Sequence, residues 1–217
     1  MGGEKALRIV PAILTDNVEE LRFRLAQAEE FTDYVQIDFM DGDFVPSKSV
    51  SPKEINAIGT TLTCEAHIMV EKPGQYLRDL KSFGFRRIIF HYEADSHPRA
   101  LIRRIKEEGI EAGLAINPET DISPLDDLIP ELDAVLFLSV NPGFYGSAFI
   151  PSVLDKIRKF REVHSSTLIG IDGGVELDNL SRIQESGVNY ACVGSRIFLS
   201  EAPAKSYEEL ERKAMAQ

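Results

Sequence analysis

Asp38, His67 and Asp172 are the residues whose types and spacing could do chemistry. Asp38 lies in the run Tyr34-Val35-Gln36-Ile37-Asp38-Phe39-Met40-Asp41-Gly42. In a strand, alternate residues share a face, so Gln36 and Asp38 point one way while Val35, Ile37 and Phe39 point the other. A carboxylate turned into an interior is unstable unless it is paired, hydrogen-bonded or metal-bound. Asp38 is therefore either a satisfied structural acid or a reactive one. In Thr63–Met69, Glu65 and His67 share a face by the same parity, with Met69 further along. A strand histidine is a core residue or a ligand, and the neighbouring Glu65 favours the ligand. Asp172 follows Ile169-Gly170-Ile171 and precedes Gly173-Gly174, as a turn residue or as an acid on a rim. Two carboxylates on opposite sides of one carbon could remove a proton from one face and deliver it to the other. A divalent cation between Asp38, His67 and Asp172 would polarise a carbonyl and hold the oxygens of an enediolate. Asp41, beside Gly42, reads as turn chemistry.

Three glycine-bearing segments have the makings of an anion site: Asn141-Pro142-Gly143-Phe144-Tyr145-Gly146-Ser147, Gly173-Gly174 and Gly194-Ser195. Glycine lets backbone N–H groups approach an anion without a side chain in the way, and a following helix N-terminus adds free donors and a dipole. One such segment is only a turn; three at consecutive positions point to phosphate.

The elements that would position these groups alternate along the chain. Strand candidates are Leu7–Leu14, Tyr34–Phe39, Thr63–Met69, Arg87–Phe90, Glu111–Ile116, Ala134–Val140, Leu168–Ile171 and Tyr190–Val193. They are rich in β-branched and aromatic residues and are commonly followed by Gly, Pro, Asn or Asp. Between them lie helical patterns, such as Val18, Leu21, Leu25 and Ala28, or Val153, Leu154, Ile157 and Phe160. Asp16 with Glu19 reads as a capping box, Gly109 as a C-cap, and Ser206 as the N-cap of the final helix. Eight strands with helical crossovers in this length suit a closed parallel (β/α)8 TIM barrel, with an open doubly wound sheet as the rival. The polar residues fall at the ends of several different strands, which favours the barrel, since barrel chemistry is built at the C-terminal rim. The expected organisation is a single-domain α/β barrel over residues 1–217.

Composition narrows the partners. The net charge of −11 repels nucleic acid and anionic membrane. It also repels a sugar phosphate, so an anion site here has to be a local, short-range device. No apolar run is long enough to span a bilayer, and Met1-Gly2-Gly3-Glu4-Lys5 lacks the apolar core of a secretory signal. Cys64 and Cys192 sit in apolar strand contexts without C-x-x-C spacing, which predicts buried thiols in a reducing compartment. The expectation is a cytoplasmic protein with no nucleic-acid or membrane partner; a homo-oligomer stays open.

Several runs together carry a resemblance. Asp38-Phe39-Met40-Asp41-Gly42-Asp43-Phe44-Val45-Pro46, His67-Ile68-Met69-Val70-Glu71-Lys72-Pro73, Ser139-Val140-Asn141-Pro142-Gly143-Phe144, Phe149-Ile150-Pro151 and Asp172-Gly173-Gly174-Val175 closely resemble the ribulose-phosphate 3-epimerases in order and spacing. The resemblance implies metal-assisted, two-base inversion at C3, interconverting ribulose 5-phosphate and xylulose 5-phosphate, so that the expected partner is a small phosphorylated ketose. It implies Asp38 and Asp172 as the acid/base pair and as metal ligands, with His67 a further ligand that also meets substrate. It implies one divalent metal ion (Zn, Fe, Mn or Co). Met40 and Met69 would line the reacting face. Gly143, Phe144, Tyr145, Gly146, Gly173, Gly174, Gly194 and Ser195 would hold the phosphate.

Three positions depart from the family pattern. Gln36 stands where the family has a histidine that is the fourth metal ligand; an amide carbonyl is a weaker and harder donor, so occupancy by zinc-like ions should fall. Ala12 replaces a substrate-contacting serine, and Leu138 replaces a lining methionine with little change in volume. An epimerase is the leading expectation. The alternatives are a sibling enzyme acting on another phosphosugar, or a non-catalytic phosphosugar binder that lost its metal histidine. The related decarboxylases need a lysine where Met40 stands, so no ammonium is available here to protonate a vinyl carbanion.

Overall fold

Short β-branched runs with apolar residues on both faces suit strands that are covered on both sides, as in parallel sheets wrapped by helices. The computed structural model describes residues 7–95, 97–143 and 146–216. The strands are β1 (Arg8–Ile13), β2 (Tyr34–Met40), β3 (Thr63–Met69), β4 (Arg87–His91), β5 (Glu111–Ile116), β6 (Ala134–Leu138), β7 (Ile169–Asp172) and β8 (Tyr190–Val193). Each pairs in parallel with its sequence neighbour, and β8 closes onto β1 from Arg8↔Tyr190 to Pro11↔Val193. This is the closed barrel, not the open sheet. Closure pairs every strand on both edges, and the strand ends converge on one mouth.

The helices are α1 (Val18–Ala28), α2 (Leu77–Phe83), α3 (Pro98–Glu107), α4 (Ser152–Val163), α5 (Leu180–Glu185), α6 (Ser195–Phe198) and α7 (Pro203–Met215). Two crossovers depart from the expected helical pattern. β2 to β3 carries only a 3-10 turn at Glu54–Ala57, and β5 to β6 carries two, at Ser123–Leu125 and Ile129–Glu131. In the second case Pro124 and Pro130 each withhold the N–H that a longer helical ladder needs. Two caps also differ from expectation. Asn17, not Asp16, caps α1, because its side chain accepts from the N–H of Glu19 at 2.9 Å and of Glu20 at 3.0 Å. Ser206 lies inside α7, which begins three residues earlier where Pro203 presets the helical φ. Its hydroxyl donates to the Arg196 carbonyl at 2.8 Å, tying α7 to α6.

Strand parity sorts the side chains. Val35, Ile37 and Phe39 face outward into the core beneath the helices, as expected. Val10, Ala12, Leu136, Leu138 and Cys192 fill the barrel itself. Each fully buried aliphatic side chain of this kind contributes ~1.5–3 kcal/mol, so the two layers fix strand register and hence the height of every polar group inside. Cys64 and Cys192 are buried free thiols. Among the described residues, no helix is long and apolar enough to cross a membrane.

Candidate active site at the barrel mouth

Adjacent strands bring the first two groups together. Asp38 on β2 and His67 on β3 are register partners, and both face inward. Barrel closure brings the third: Asp172, the last residue of β7, reaches the same point from the other side. His67 Nδ1 lies 3.1 Å from Asp38 Oδ1 and 3.2 Å from Asp172 Oδ2. Gln36, two residues before Asp38 on the same face, is fully buried, and its amide NH2 donates to both acids, at 2.8 Å to Asp38 Oδ1 and 2.8 Å to Asp172 Oδ2. The two carboxylates therefore face one small space, one from each side.

Behind His67 runs a chain of groups that sets its proton positions. His67 Nε2 meets His91 Nε2 at 2.9 Å, and His91 Nδ1 meets Glu93 Oε2 at 3.3 Å. Glu93 also accepts from the Asn117 N–H at 2.8 Å and from the Thr120 hydroxyl. Burial pushes Glu93 upward, but these donors outweigh it and hold its carboxyl down at about 2, so it is an ionised acceptor. Burial holds His91 down at about 4, against the pull of Glu93, so His91 is neutral. Its proton sits on Nδ1, facing Glu93. Its Nε2 lone pair accepts from His67 Nε2–H, which leaves His67 Nδ1 as the atom presented to the acids. Burial would depress His67, but the hydrogen bonds and charges of Asp172 and Asp38 prevail and raise it to about 9. Burial, then the charge of Asp172, lifts Asp38 above the ordinary carboxylate range, opposed by the bonds from His67 and Gln36.

These side chains fit a divalent cation. Asp38, His67 and Asp172 each offer a ligand atom, all within 4.8 Å of one another. Two carboxylates and an imidazole nitrogen crowd together, with the outer nitrogen of that imidazole already committed to His91. Such an oxygen-and-nitrogen donor set suits Mn, Fe, Co or Zn, and the His67–His91–Glu93 chain is the supporting shell that ligating histidines commonly carry. Gln36, the fourth expected ligand, presents its NH2 rather than its oxygen. Its Oε1 accepts instead from the Cys192 thiol at 3.1 Å.

The mouth opens as a pocket of about 640 Å³, counting the space open to solvent, and its walls include Asp38, Met40, His67, Met69, Asp172 and Cys192. Met40 and Met69 pack with Val45 into a small apolar wall beside the acids. Gly143, Gly146, Gly173, Gly174, Gly194 and Ser195 all line the same pocket, as does Ala12. Phe144 and Tyr145, expected as phosphate contacts, lie outside the described residues. Gly173 and Gly174 have φ of +106° and +62°, and a Cβ on Gly173 would meet Val140 Cγ2 at 2.4 Å. Fold and pocket thus ask for the same bare backbone there.

Glu65 belongs elsewhere. It points to the opposite end of the barrel, where its carboxylate accepts from Arg87 at 2.9 Å and Tyr34 at 2.8 Å. Its place beside His67 in sequence says nothing of the metal cluster. Asp41 is turn chemistry, as expected: Oδ1 accepts from the N–H of Asp43 and Phe44, each at 2.9 Å. Sequence reading missed His91, although its parity with Ile89 signalled an inward face. It also missed Glu93 and the bond from Cys192 to Gln36, which no local spacing announces.

Fold and mouth together define a class: (β/α)8 barrels with a carboxylate–imidazole centre ringed by glycine-rich loops. Within that class, residues 8–198 match the model of the ribulose-phosphate 3 epimerase family, and the chain belongs to that family. It is 36% identical over 202 residues to the ribulose-phosphate 3-epimerase of Escherichia coli K12, covering 89% of this chain and 90% of that one. It is 32% identical over 212 residues to that of Bacillus subtilis, covering 94% and 98%. Among solved structures, 3-hexulose-6-phosphate synthase from Salmonella typhimurium superimposes with a TM-score of 0.73 at 16% identity, covering 96% of this chain and 99% of that one. That degree of likeness shows the shared fold.

Proposed function

We propose that this chain epimerises a ketose phosphate at C3, interconverting ribulose 5-phosphate and xylulose 5-phosphate. The observation that supports the reading is that Asp38 of β2 and Asp172 of β7 converge on the single Gln36 amide, each at 2.8 Å. One carboxylate takes the C3 proton, and the electron pair moves into the C2 carbonyl to give an enediolate. The other carboxyl, holding a proton, delivers it to the opposite face of C3. In the reverse direction the two exchange roles.

Asp38, His67 and Asp172 would hold a divalent metal, which when bound supplies Lewis-acid polarisation of the carbonyl. His91 and Glu93 keep His67 oriented toward the centre. Met40 and Met69 keep water from the reacting face. Gly143, Gly146, Gly173, Gly174, Gly194 and Ser195 would hold the phosphate through backbone N–H groups. Those short-range bonds outweigh the screened repulsion from a net charge of −11. The test mixes the protein with ribulose 5-phosphate in D2O, with and without added Mn, Fe, Co or Zn. Deuterium should enter at C3 with at least one metal. No incorporation under any condition would end this reading, and a panel of other ketose phosphates would then identify the substrate.

A further inference from the structure

Gln36 is an amide whose two ends face opposite ways. Its NH2 bonds both acids at 2.8 Å, and its oxygen accepts from Cys192 at 3.1 Å. This orientation is the only one that suits a metal-free centre. Turned over, the amide oxygen would face two carboxylates, and the NH2 would face sulfur, a weak acceptor. A cation between the acids reverses that preference, because an amide oxygen turned inward becomes a fourth donor beside Asp38, His67 and Asp172.

We propose that the Gln36 amide is a gate on metal loading: it ties the two acids together in the metal-free protein and turns over when a divalent ion enters, with Cys192 as the positioning residue that holds the gate shut. The inference rests on the reading of Asp38, His67 and Asp172 as metal ligands. It has two consequences. The metal-free protein keeps its buried carboxylates hydrogen-bonded, so it stays folded without an ion. An entering ion has to displace two charge-assisted bonds and gains an oxygen rather than an imidazole. Binding is therefore weaker, and relatively less selective for zinc over manganese, than a site with a second histidine would give.

The experiment strips the full-length protein with a chelator and measures Zn²⁺ and Mn²⁺ affinities by competition with a chromophoric chelator, for the unchanged chain, Gln36→His and Cys192→Ala. Gln36→His should tighten Zn²⁺ by about tenfold to a hundredfold and Mn²⁺ by less. Cys192→Ala should tighten both ions a few-fold, since the turned amide then forfeits no thiol bond. Should Gln36→His fail to fold, NMR of the labelled Gln36 side-chain amide in the unchanged protein gives the same answer. Its protons should be shifted and protected in the metal-free state and should lose that protection on adding Zn²⁺. Equal Zn²⁺ affinity in all three proteins, or an amide signal that zinc does not move, overturns the gate. These measurements read metal binding and not turnover. A moving amide in a protein that incorporates no deuterium would remove the epimerase reading alone; turnover with a silent amide would remove the gate alone.

Discussion

The mouth and the floor of this barrel both bury carboxylates, and they neutralise them in opposite ways. At the floor, Glu65 bonds Arg87 at 2.9 Å, and Arg87 bonds Glu111 at 2.7 Å. Tyr34 donates to Glu65 at 2.8 Å while the Arg8 guanidinium covers the Tyr34 ring at 4.6 Å. Each acid there has a permanent cation. At the mouth, Asp38 and Asp172 share a histidine and a neutral amide as their partners. A guanidinium satisfies an acid for good, because it cannot lose its proton. A histidine and an amide leave the pair able to gain or lose a proton and to accept a cation. The floor is fixed by permanent charge, and the mouth is not.

The sharpest way to break this contrast is at the acids. Asp172→Asn should lower C3 deuterium exchange by about 10²- to 10⁴-fold while the protein stays folded, since the amide can still accept from Gln36. An unchanged rate would remove Asp172 from the chemistry. The floor should respond in the opposite sense. Arg87→Met strands the buried Glu65 without its cation, while Glu111 keeps Arg86, and should destabilise the fold by about 3–5 kcal/mol in denaturant unfolding. Exchange per folded molecule should hardly change; a large loss would mean that floor and mouth are coupled.

A pH series sharpens the comparison. Burial holds the folded value of His91 down at about 4, below the ordinary histidine value of about 6.5, so its contribution to stability is full above pH 6.5 and is lost as pH falls toward 4. The drop should amount to a few kcal/mol, on the order of the cost of charging a buried imidazole. Glu93, held at about 2, keeps its own contribution above pH 4.5 and loses it below, outside most of this window. His91→Gln can still accept from His67 and donate to Glu93. Subtracting its pH–stability curve from that of the unchanged protein should show a slope between pH 6.5 and 4 and none above; a flat difference would contradict the assignment of neutral His91. The smallest expected effect is again at the floor. The Tyr190 hydroxyl is buried with no hydrogen-bond partner among the described residues. Tyr190→Phe should shift stability by less than about 1 kcal/mol and leave exchange untouched. A larger loss would show that the hydroxyl does have a partner.

Much of the site was legible because strand parity is local. Asp38, His67 and Gln36 could be placed on inward faces from alternation alone, and the paired glycines after Asp172 announced a bare-backbone turn. Glu65 shows where that reasoning stops. Parity names the face but not the end of the barrel, and the partner that claims Glu65 is Arg87, on the next strand. The caps make the same point on a smaller scale: Asn17 and Pro203 start their helices where Asp16 and Ser206 had the right chemistry but the wrong position.

By itself the sequence determined the eight strands, most of the helices between them, and which residue types could exchange protons, because these follow from periodicities of two and 3.6 within a few residues of each other. Only the tertiary structure decided that Asp172 stands across from Asp38, that His91 and Glu93 stand behind His67, and that Cys192 holds the oxygen of Gln36. Apart from Glu93, which lies in the turn just after β4, those partners lie on different strands, up to 156 positions apart in the case of Gln36 and Cys192. Their meeting is set by the register and closure of eight strands packed against a common core, which no short stretch of chain contains.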